Sequence, residues 1–438
     1  MSKVLKDAVP TAVVTDQLQK VSDAVAVIID AVRQRGDQAV RDYSQRFDGY
    51  APASFRLGQD DIRKAVAATP ETVLEDIRFA QKQVQEFAQR QRESLTDFET
   101  ETLPGIFLGQ KNIPVSASGA YVPGGRYPLL ASAHMTIVTA KVAGVPRVAA
   151  CTPPIRGELP AASISAMYLA GADEIYLLGG AHAIAALALG TETIDRVDIL
   201  TGPGNAYVAE AKRQLFGEVG IDLFAGPTET LIIADHTADP FVVAVDLLSQ
   251  AEHGPDSPAV LITTSDDVAR ETIVQIEELL PGMPTGDIAA PAWRDYGEVH
   301  LAADLKEAYA LADDFASEHV QVLTENPREA LEAMTNYGAL FLGTRTTVAF
   351  GDKVIGTNHV LPTRKAARYT GGLWVGKFLK TVTYQEIRND ESSALLGQIC
   401  GRASRAELFE GHARAADLRA AIFGDATLPW TETQPRTA

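Results

Sequence analysis

Apolar residues in the first part of the chain recur with the period of an α-helix. The pattern extends from about Asp16 to Leu95. Residues spaced in this way line one face of a helix, which must pack against something else. We therefore predict that this stretch is mostly helical. Its clearest run begins at Glu75 and places at helical spacing Ile77, Phe79, Ala80, Val84 and Phe87.

Between about Val115 and Asp235 the pattern changes to short apolar strands that alternate with helices. RVAACT, EIYLL and VDIL have the character of strands, whereas AASISAMYLAGA, AHAIAALALG and AYVAEAKRQLFG have the character of helices. Two further strand candidates, ETLIIAD and PAVLITTS, flank the helical stretch FVVAVDLLSQAEHG. Such alternation is typical of βαβ units with a parallel sheet. We expect two α/β units, followed after Leu373 by a largely helical segment.

Composition narrows the possible partners. The chain has 438 residues, of which 46% are hydrophobic, and this is long enough for more than one core. Its formal net charge of -18 disfavours nucleic acid or an anionic membrane as the main partner, because both bind a basic surface. We therefore expect a small-molecule ligand.

Cysteine usage and the absence of long apolar runs bear on location. Cys151 and Cys400 are the two cysteines, and they have no CxxC spacing that would indicate a disulfide framework or a thiolate zinc site. The sequence also shows neither a secretory signal nor a membrane-spanning run. We expect a cytoplasmic protein.

Two short polar segments are candidates for metal binding and proton transfer. SQAEHGPDS places Gln250 and His253 on one face at the end of a helix, where they could bind a metal or form a solvated last turn. ASEHV holds the adjacent Glu318 and His319, which could act as general acid and base or simply end a helix. Spacing alone leaves both alternatives open.

Three further segments combine glycine with polar side chains. FGDKVIGTNHVLPT brings Asp352 and His359 into a polar loop of the kind that often carries function. TGPGNAYVAEAK runs from a strand into a helix that could present backbone N–H groups to a phosphate, although it lacks the GxGxxG fingerprint. AELFEGHARAADLR places Glu407 and His412 in the C-terminal helical segment.

Taken in order, these segments resemble the histidinol dehydrogenase family from about Val25 to Arg419. The resemblance is carried by YVPGG, GPGNAYVAEAKRQ, SQAEHGPDS and GTNHVLPT. It implies an α/β fold of two Rossmann-like parallel-sheet domains with small helical N- and C-terminal segments, in a domain-swapped homodimer. The implied division is a helical segment 1–19, a discontinuous catalytic domain 20–120 and 228–373, an NAD-binding domain 121–227, and a helical dimerisation segment 374–438.

The resemblance also implies roles for individual residues. Glu318 and His319 match the family's catalytic pair. The implied ligands of zinc, or of manganese in its place, are Gln250, His253, Asp352 and, from the neighbouring subunit, His412. The implied NAD contacts are Tyr121, His182 and Asn205. The expected substrate contacts are Arg126, Thr228, His359 and, from the neighbouring subunit, Glu407.

The chemistry implied by the family is a four-electron oxidation of a primary alcohol, through an aldehyde, to a carboxylate with two molecules of NAD. His319 would accept the alcohol proton, and Glu318 would activate the water that attacks the aldehyde. The metal would mainly hold and orient the substrate. A protein that only binds a metal or small ligand would not need this catalytic pair.

Departures from the family pattern lie around the substrate. Arg126 replaces a small residue, Thr228 a serine, Lys353 a tyrosine and His182 a glutamine, and the stretch RKAARY adds Arg364, Lys365 and Arg368. Histidinol carries an ammonium group, so added cations favour a different, anionic substrate. We therefore favour the oxidation of 2,3-dihydroxypropane-1-sulfonate to 3-sulfolactate, the reaction of the family's sulfopropanediol dehydrogenases. The oxidation of L-histidinol to L-histidine is the alternative.

Overall fold

The structure, a computed structural model, describes residues 3–9, 14–124, 128–224, 226–428 and 430, with the side chains of all of these except 14–18. The chain divides into two compact units. The larger consists of Met1–Arg92 and Pro114–Phe378, and the smaller of Glu93–Ile113 and Leu379–Ala438. None of the helices in the described ranges is long and apolar enough to cross a membrane.

The larger unit begins with a strand and four helices. These are β1 (Lys3–Lys6), α1 (Val14–Arg35), α2 (Asp37–Asp48), α3 (Gln59–Ala68) and α4 (Glu71–Glu93). Helix α4 buries Ile77, Ala80 and Val84 as predicted, whereas Phe79 and Phe87 are 57% and 44% exposed. The helical prediction for this stretch is confirmed, but its apolar face is narrower than we expected.

A five-stranded parallel sheet occupies the middle of the sequence. Its strands are β4 (Ala117–Tyr121), β5 (Arg147–Thr152), β6 (Glu174–Leu177), β7 (Ile199–Thr201) and β8 (Gly220–Ile221), in the order β6-β5-β4-β7-β8. The connecting helices are α5 (Leu130–Ala133), α6 (Thr139–Ala143), α7 (Ala161–Leu169), α8 (Gly180–Leu189) and α9 (Ala206–Leu215), with a π-helical turn at His134–Val138. The predicted alternation of strands and helices is confirmed.

A six-stranded sheet forms the other part of the larger unit. Its further strands are β9 (Thr230–Ala234), β10 (Ala259–Thr263), β11 (Gly297–Leu301), β12 (His319–Leu323) and β13 (Ala339–Leu342), in the order β1-β11-β10-β9-β12-β13. Its helices are α10 (Pro240–Ala251), α11 (Asp266–Leu279), α12 (Gly286–Tyr296), α13 (Leu305–Phe315), α14 (Ala330–Ala333) and α15 (Val348–Lys353). Apolar cores cover both faces, as a parallel sheet requires.

Two expectations about the N-terminal region were wrong in part. We expected residues 1–19 to be helical; α1 does begin at Val14, but Lys3–Lys6 form a strand that pairs antiparallel with β11, which offers an open sheet edge. We also grouped residues 20–120 with 228–373. Helices α1 and α2 instead share a core with the five-stranded sheet, in which Val25 and Val40 pack in one cluster with Tyr121.

The smaller unit contains a three-stranded sheet and two helices. The strands are β2 (Phe98–Leu103), β3 (Ile106–Pro114) and β14 (Leu379–Ile387), in the order β14-β3-β2, and the helices are α16 (Asp390–Ala406) and α17 (Glu410–Ile422). The predicted helical segment 374–438 contains α16 and α17 but also the strand β14, and residues 93–113 belong with it. Most residues of β2 and β14 are exposed, so these strands lack the buried alternation by which a strand is recognised in sequence.

Candidate active site

A cavity of about 970 Å³ opens in the larger unit where the two sheets meet. Pro123 and Gly124, which follow β4, and Asn205, which follows β7, line it from the carboxyl ends of the five-stranded sheet. Glu318 and His319 line it from the amino end of β12 in the six-stranded sheet. The cavity therefore lies beside both a candidate cofactor loop and the candidate catalytic pair.

The catalytic candidates are buried and oriented by the backbone of the neighbouring strand. Because β12 pairs in parallel with β9, His319 lies opposite Thr230, and Glu318 lies beside Glu229. The Glu229 N–H donates to Glu318 Oε2 at 3.0 Å, and His319 Nδ1 lies 3.2 Å from the Glu229 carbonyl oxygen. With Nδ1 bound in this way, the other ring nitrogen of His319 faces Asp352 Oδ1 at 3.6 Å.

Burial and nearby charges shift the pKa values of this group in different directions. Burial raises the pKa of Glu318 above its ordinary value, although the charge of His319 opposes the shift. Burial would lower the pKa of His319, but Glu318 and Asp352 outweigh it and raise the pKa. Burial would likewise raise the pKa of Asp352, and the histidines around it lower it instead. Asp352 is therefore a permanent carboxylate, while Glu318 titrates closer to neutral pH.

Three of the four expected metal ligands, Gln250, His253 and Asp352, lie close together. Gln250 Nε2 donates to Asp352 Oδ2 at 3.2 Å, and His253 Nε2 lies 3.9 Å from the same oxygen. Gln250 Oε1 is buried and has no hydrogen-bond partner among the described residues. An orphaned amide oxygen beside an imidazole and a carboxylate fits a divalent cation of the zinc or manganese type.

One of the three candidate metal donors is the side-chain amide of Gln250, so the site cannot be found from acidic residues, histidines and cysteines alone. Among the residues that the structure describes, no group of three or more His, Cys, Asp and Glu side chains is arranged to hold a metal ion. His253 and Asp352 supply only two donors of those types, and Gln250 supplies the third. Neither the pattern of acidic residues nor that of histidines alone would reveal the site.

A buried ion pair supports the turn after β7. Lys212 donates to the Gly202 carbonyl oxygen at 2.8 Å and pairs with Asp222, which accepts from the Gly202 N–H at 2.7 Å. Gly202 has φ 112, and a Cβ there would collide with the Tyr121 carbonyl oxygen. Asn205 caps α9 by accepting from the backbone N–H groups of the first turn. The turn and helix end form a candidate cradle for a dinucleotide phosphate.

The other two expected NAD contacts lie deeper than Asn205. The Tyr121 hydroxyl accepts from the Gly180 N–H at 3.1 Å, and burial raises the pKa of Tyr121. His182 is buried with its ring facing Phe47, and its Nε2 lies 3.8 Å from Asp48 Oδ2. Among the described residues that line the cavity, neither Tyr121 nor His182 appears.

The expected substrate contacts have different outcomes. Thr228 and His359 line the cavity, and His359 Nδ1 donates to the Asp352 carbonyl oxygen at 2.9 Å. Arg126 lies outside the described residues. Arg364 and Lys353 line the cavity in addition.

The remaining two cations of the RKAARY stretch lie elsewhere. Lys365 is exposed and does not line the cavity in the described part of the chain. Arg368 is also exposed and donates to the Asp314 carbonyl oxygen at 2.9 Å. Arg364 is therefore the member of this stretch that reaches the site.

Glu407 and His412 belong to the smaller unit. Glu407 caps the end of α16 and His412 lies in the first turns of α17, and both are exposed. The His412 ring packs edge-on against Phe409 at 5.3 Å between centroids. Exposure of both side chains is compatible with a role toward a second subunit.

Sequence reasoning missed several residues that shape the site. Glu229 connects the candidate catalytic pair to Arg364, and Lys212 with Asp222 supports the candidate cofactor turn. No local pattern marks them, because their partners are distant in sequence. The one signal in the sequence was Lys212, which lies on the apolar side of the helix that follows the glycine turn.

Comparisons with known proteins agree with this geometry. The family model for histidinol dehydrogenase matches residues 13–420. A histidinol dehydrogenase homolog of Shouchella clausii is 58% identical over 424 residues, 97% of this chain and 100% of that protein. The sulfopropanediol 3-dehydrogenase of Ruegeria pomeroyi is 47% identical over 415 residues, 94% of this chain and 95% of that protein. The crystal structure of histidinol dehydrogenase from Elizabethkingia anophelis matches with a TM-score of 0.88 at 32% identity, over 95% of this chain and 94% of that chain.

The family match extends over every strand of both sheets except β1 and over every cavity residue described above. The resemblance seen in the sequence is thereby confirmed, as is the α/β fold with parallel sheets. This chain belongs to the histidinol dehydrogenase family and is an oxidoreductase that acts on the CH–OH group of alcohols and on aldehydes.

Proposed function

We propose that this protein is an NAD-dependent, zinc-containing dehydrogenase that oxidises 2,3-dihydroxypropane-1-sulfonate to 3-sulfolactate in two steps. The observation that carries the proposal is the convergence on one cavity of a buried acid–base pair, a candidate metal group and a cationic side chain. Glu318 and His319 supply the first, Asp352 belongs to the second, and Arg364 is the third.

The residues divide the chemistry between them. His319 accepts the proton of the substrate alcohol in the first oxidation, and its orientation is set by the Glu229 carbonyl oxygen. Glu318 accepts a proton from the water that adds to the aldehyde, and its raised pKa suits a general base near neutral pH. Gln250, His253 and Asp352 would hold the metal. Zinc bound there would supply orientation and polarisation of the substrate oxygen, and bound NAD would supply the hydride acceptor for each oxidation.

The anionic substrate is favoured by the cations around the cavity and by the relatives. Arg364 and Lys353 line the cavity, and Arg213 is already paired with Glu210. The sulfopropanediol 3-dehydrogenase of Ruegeria pomeroyi is 47% identical to this chain, and histidinol dehydrogenase 1 of Nostoc sp. is 41% identical. A sulfonate gains from a nearby guanidinium, whereas the ammonium group of histidinol does not.

We further propose a homodimer in which each active site is completed by the other subunit, through Glu407 and His412. The smaller unit exposes large apolar side chains that a partner subunit would cover. They include Leu395, Ile399, Leu408, Phe409, Ile422 and Phe423.

Mixing two inactive variants tests this arrangement. Glu318→Gln and His412→Ala would each be unable, alone, to carry the reaction through to the carboxylate, so activity is measured as formation of 3-sulfolactate. A mixed dimer with both changes on one chain and none on the other would have no intact site, whereas a dimer with one change on each chain would have one. Regained activity in the second case is expected if sites are shared. If activity appears only in the dimer that carries both changes on one chain, the active sites are not shared between subunits.

Substrate identity is tested by counting NADH. We expect two NADH formed for each molecule of the sulfonated diol consumed by the zinc-loaded protein, with 3-sulfolactate as the product. L-histidinol is the matched second substrate, because the structural similarity to histidinol dehydrogenase keeps it as the alternative. Turnover of L-histidinol together with no reaction of the sulfonated diol would reject the proposal.

A further inference from the structure

Two successive residues with long side chains adopt a backbone conformation that favours glycine. Arg364 has φ 54 and Lys365 has φ 64, both in the left-handed region. A residue with a Cβ is strained there, and such strain persists when surrounding contacts fix the backbone and often serves a function. The position of Arg364 beside the cavity makes it the more informative of the two.

Hydrogen bonds from the catalytic side of the cavity fix this backbone. Thr363 Oγ1 accepts from the Gly226 N–H at 2.5 Å, and the Arg364 N–H donates to Glu229 Oε1 at 2.8 Å. The Glu229 N–H in turn donates to Glu318 Oε2. The Arg364 backbone is therefore connected to the catalytic carboxyl group through a single intervening residue.

The Arg364 side chain fits into a gap that a larger residue would close. A Cβ on Gly226 would lie 2.6 Å from Arg364 Nε, so the absence of a side chain there leaves room for the guanidinium stem. The guanidinium carbon lies 5.8 Å from the centre of the Phe224 ring, within range of a cation–π interaction.

The guanidinium is still available to a ligand. Within the described residues it forms no ion pair with a carboxylate, and the Glu229 oxygen nearest to Arg364 is taken up by its backbone N–H. Arg213, the other guanidinium that lines the cavity, donates two hydrogen bonds to the Glu210 carboxylate. Arg364 is thus a positioned cation with unused donors.

We propose that Arg364 is the residue that selects an anionic substrate by binding its sulfonate, and that the strained backbone is retained for this purpose. The inference rests on the proposed function, since it assigns the anion-binding contact of that same site. A planar guanidinium binds two oxygens of a sulfonate at once and repels an ammonium group. The strain at Arg364 is then offset by what the side chain binds.

Lys365 provides a matched control because it shares the strain without reaching the cavity. Arg364→Gly and Lys365→Gly both place glycine at a left-handed position, so both are expected to leave the melting temperature unchanged or raised. Only Arg364→Gly removes a cation from the cavity. Arg364→Lys keeps the charge, loses the planar fork and retains the strain, so it separates charge from geometry.

The test measures binding and kinetics on the full-length, zinc-loaded protein. Calorimetric titration with 3-sulfolactate gives the dissociation constant, and initial rates give KM for the sulfonated diol and for NAD. We expect Arg364→Gly to weaken sulfolactate binding and raise KM for the diol by at least about tenfold, the loss of a charged hydrogen bond. Arg364→Lys should give values of the dissociation constant and of KM between those of Arg364→Gly and the unaltered protein. Lys365→Gly should give the same values as the unaltered protein.

Three outcomes would overturn the inference. They are unchanged sulfolactate binding in Arg364→Gly, an equal loss in Lys365→Gly, and a rise confined to KM for NAD, which would place Arg364 at the cofactor phosphates. The proposed function fails separately, when the unaltered protein forms no NADH from the sulfonated diol. An Arg364→Gly protein that oxidises the diol with unchanged KM rejects this inference and leaves the proposed function standing.

Discussion

Gln321 donates its side-chain N–H to Asp246, with Gln321 Nε2 2.6 Å from Asp246 Oδ2. The second Asp246 oxygen accepts from the Thr347 hydroxyl at 3.0 Å. Gln321 Nε2 also donates to the Thr346 carbonyl oxygen at 3.2 Å. Burial raises the pKa of Asp246, and these two side-chain donors oppose the shift.

This contact joins three elements that carry site residues. Asp246 lies on α10, one turn before Gln250. Its partners lie on β12, which begins with His319, and immediately before α15, which contains Asp352. Asp246 is therefore expected to act as a positioning residue, through the elements that hold the catalytic and metal-binding side chains.

Replacing Asp246 by alanine should destabilise the protein. The change leaves one Gln321 N–H and the Thr347 hydroxyl without the Asp246 carboxylate as acceptor, and each buried unpaired group costs about 1–3 kcal/mol. Asp246→Asn can still accept from Gln321, so it should cost less. Urea unfolding of the two variants gives the difference in free energy. Equal stability of Asp246→Ala and the unaltered protein would contradict the role given to this contact.

Replacing Glu318 by glutamine should stop the reaction at the aldehyde. The amide oxygen still accepts from the Glu229 N–H, so the fold is kept, but the side chain can no longer act as a base. General-base catalysis is worth about 10²–10⁴ in rate, and the second oxidation should slow by that factor. The readout is NADH per alcohol consumed, together with trapping of the aldehyde. Two NADH per substrate at the normal rate would rule out this role for Glu318.

Loss of His253 should lower the metal content. His253→Ala removes one of the three candidate donors Gln250, His253 and Asp352, and the loss of a direct ligand weakens metal binding strongly. Bound zinc, measured by elemental analysis after dialysis, should fall well below that of the unaltered protein. His236→Ala is the matched control, because His236 is exposed and outside the cavity lining. An unchanged zinc content in His253→Ala, or an equal fall in the control, would argue against the site.

Protonation of the buried His182 should lower the free energy of unfolding in mild acid. Burial lowers its pKa from 6.5 to about 4, and Asp48 at 3.8 Å is too distant for a hydrogen bond that would oppose the shift. Below pH 6.5 His182 binds a proton in the unfolded chain, whereas in the native protein it remains neutral down to about pH 4. The free energy of unfolding therefore falls as the pH falls through this window, by about 1–3 kcal/mol in total.

A glutamine at this position tests the assignment, because it does not titrate. The difference in unfolding free energy between His182→Gln and the unaltered protein should grow in favour of the variant as the pH is lowered from neutral toward 4. The exposed His236→Gln serves as control and should show no such trend. Parallel stability curves for His182→Gln and the unaltered protein would mean that His182 is protonated in the native state.

Local patterns were sufficient for much of the fold. The alternation from Val115 onward gave the βαβ units because a strand or helix buried on one side must repeat its apolar residues with the period of its own geometry. The same rule failed for β2 and β14, whose residues are mostly exposed and carry no such period. It also failed for β1, which forms by pairing with the edge of a sheet far along the chain.

The sequence by itself determined the family, the two α/β units and the order of the polar motifs, because these depend on neighbours along the chain. Only the tertiary structure decided which motifs meet. Glu318 came beside Glu229 through the register of two parallel strands, and Arg364 reached the cavity through a left-handed backbone next to Gly226. Contacts of this kind join residues that are distant in sequence, so no local period records them.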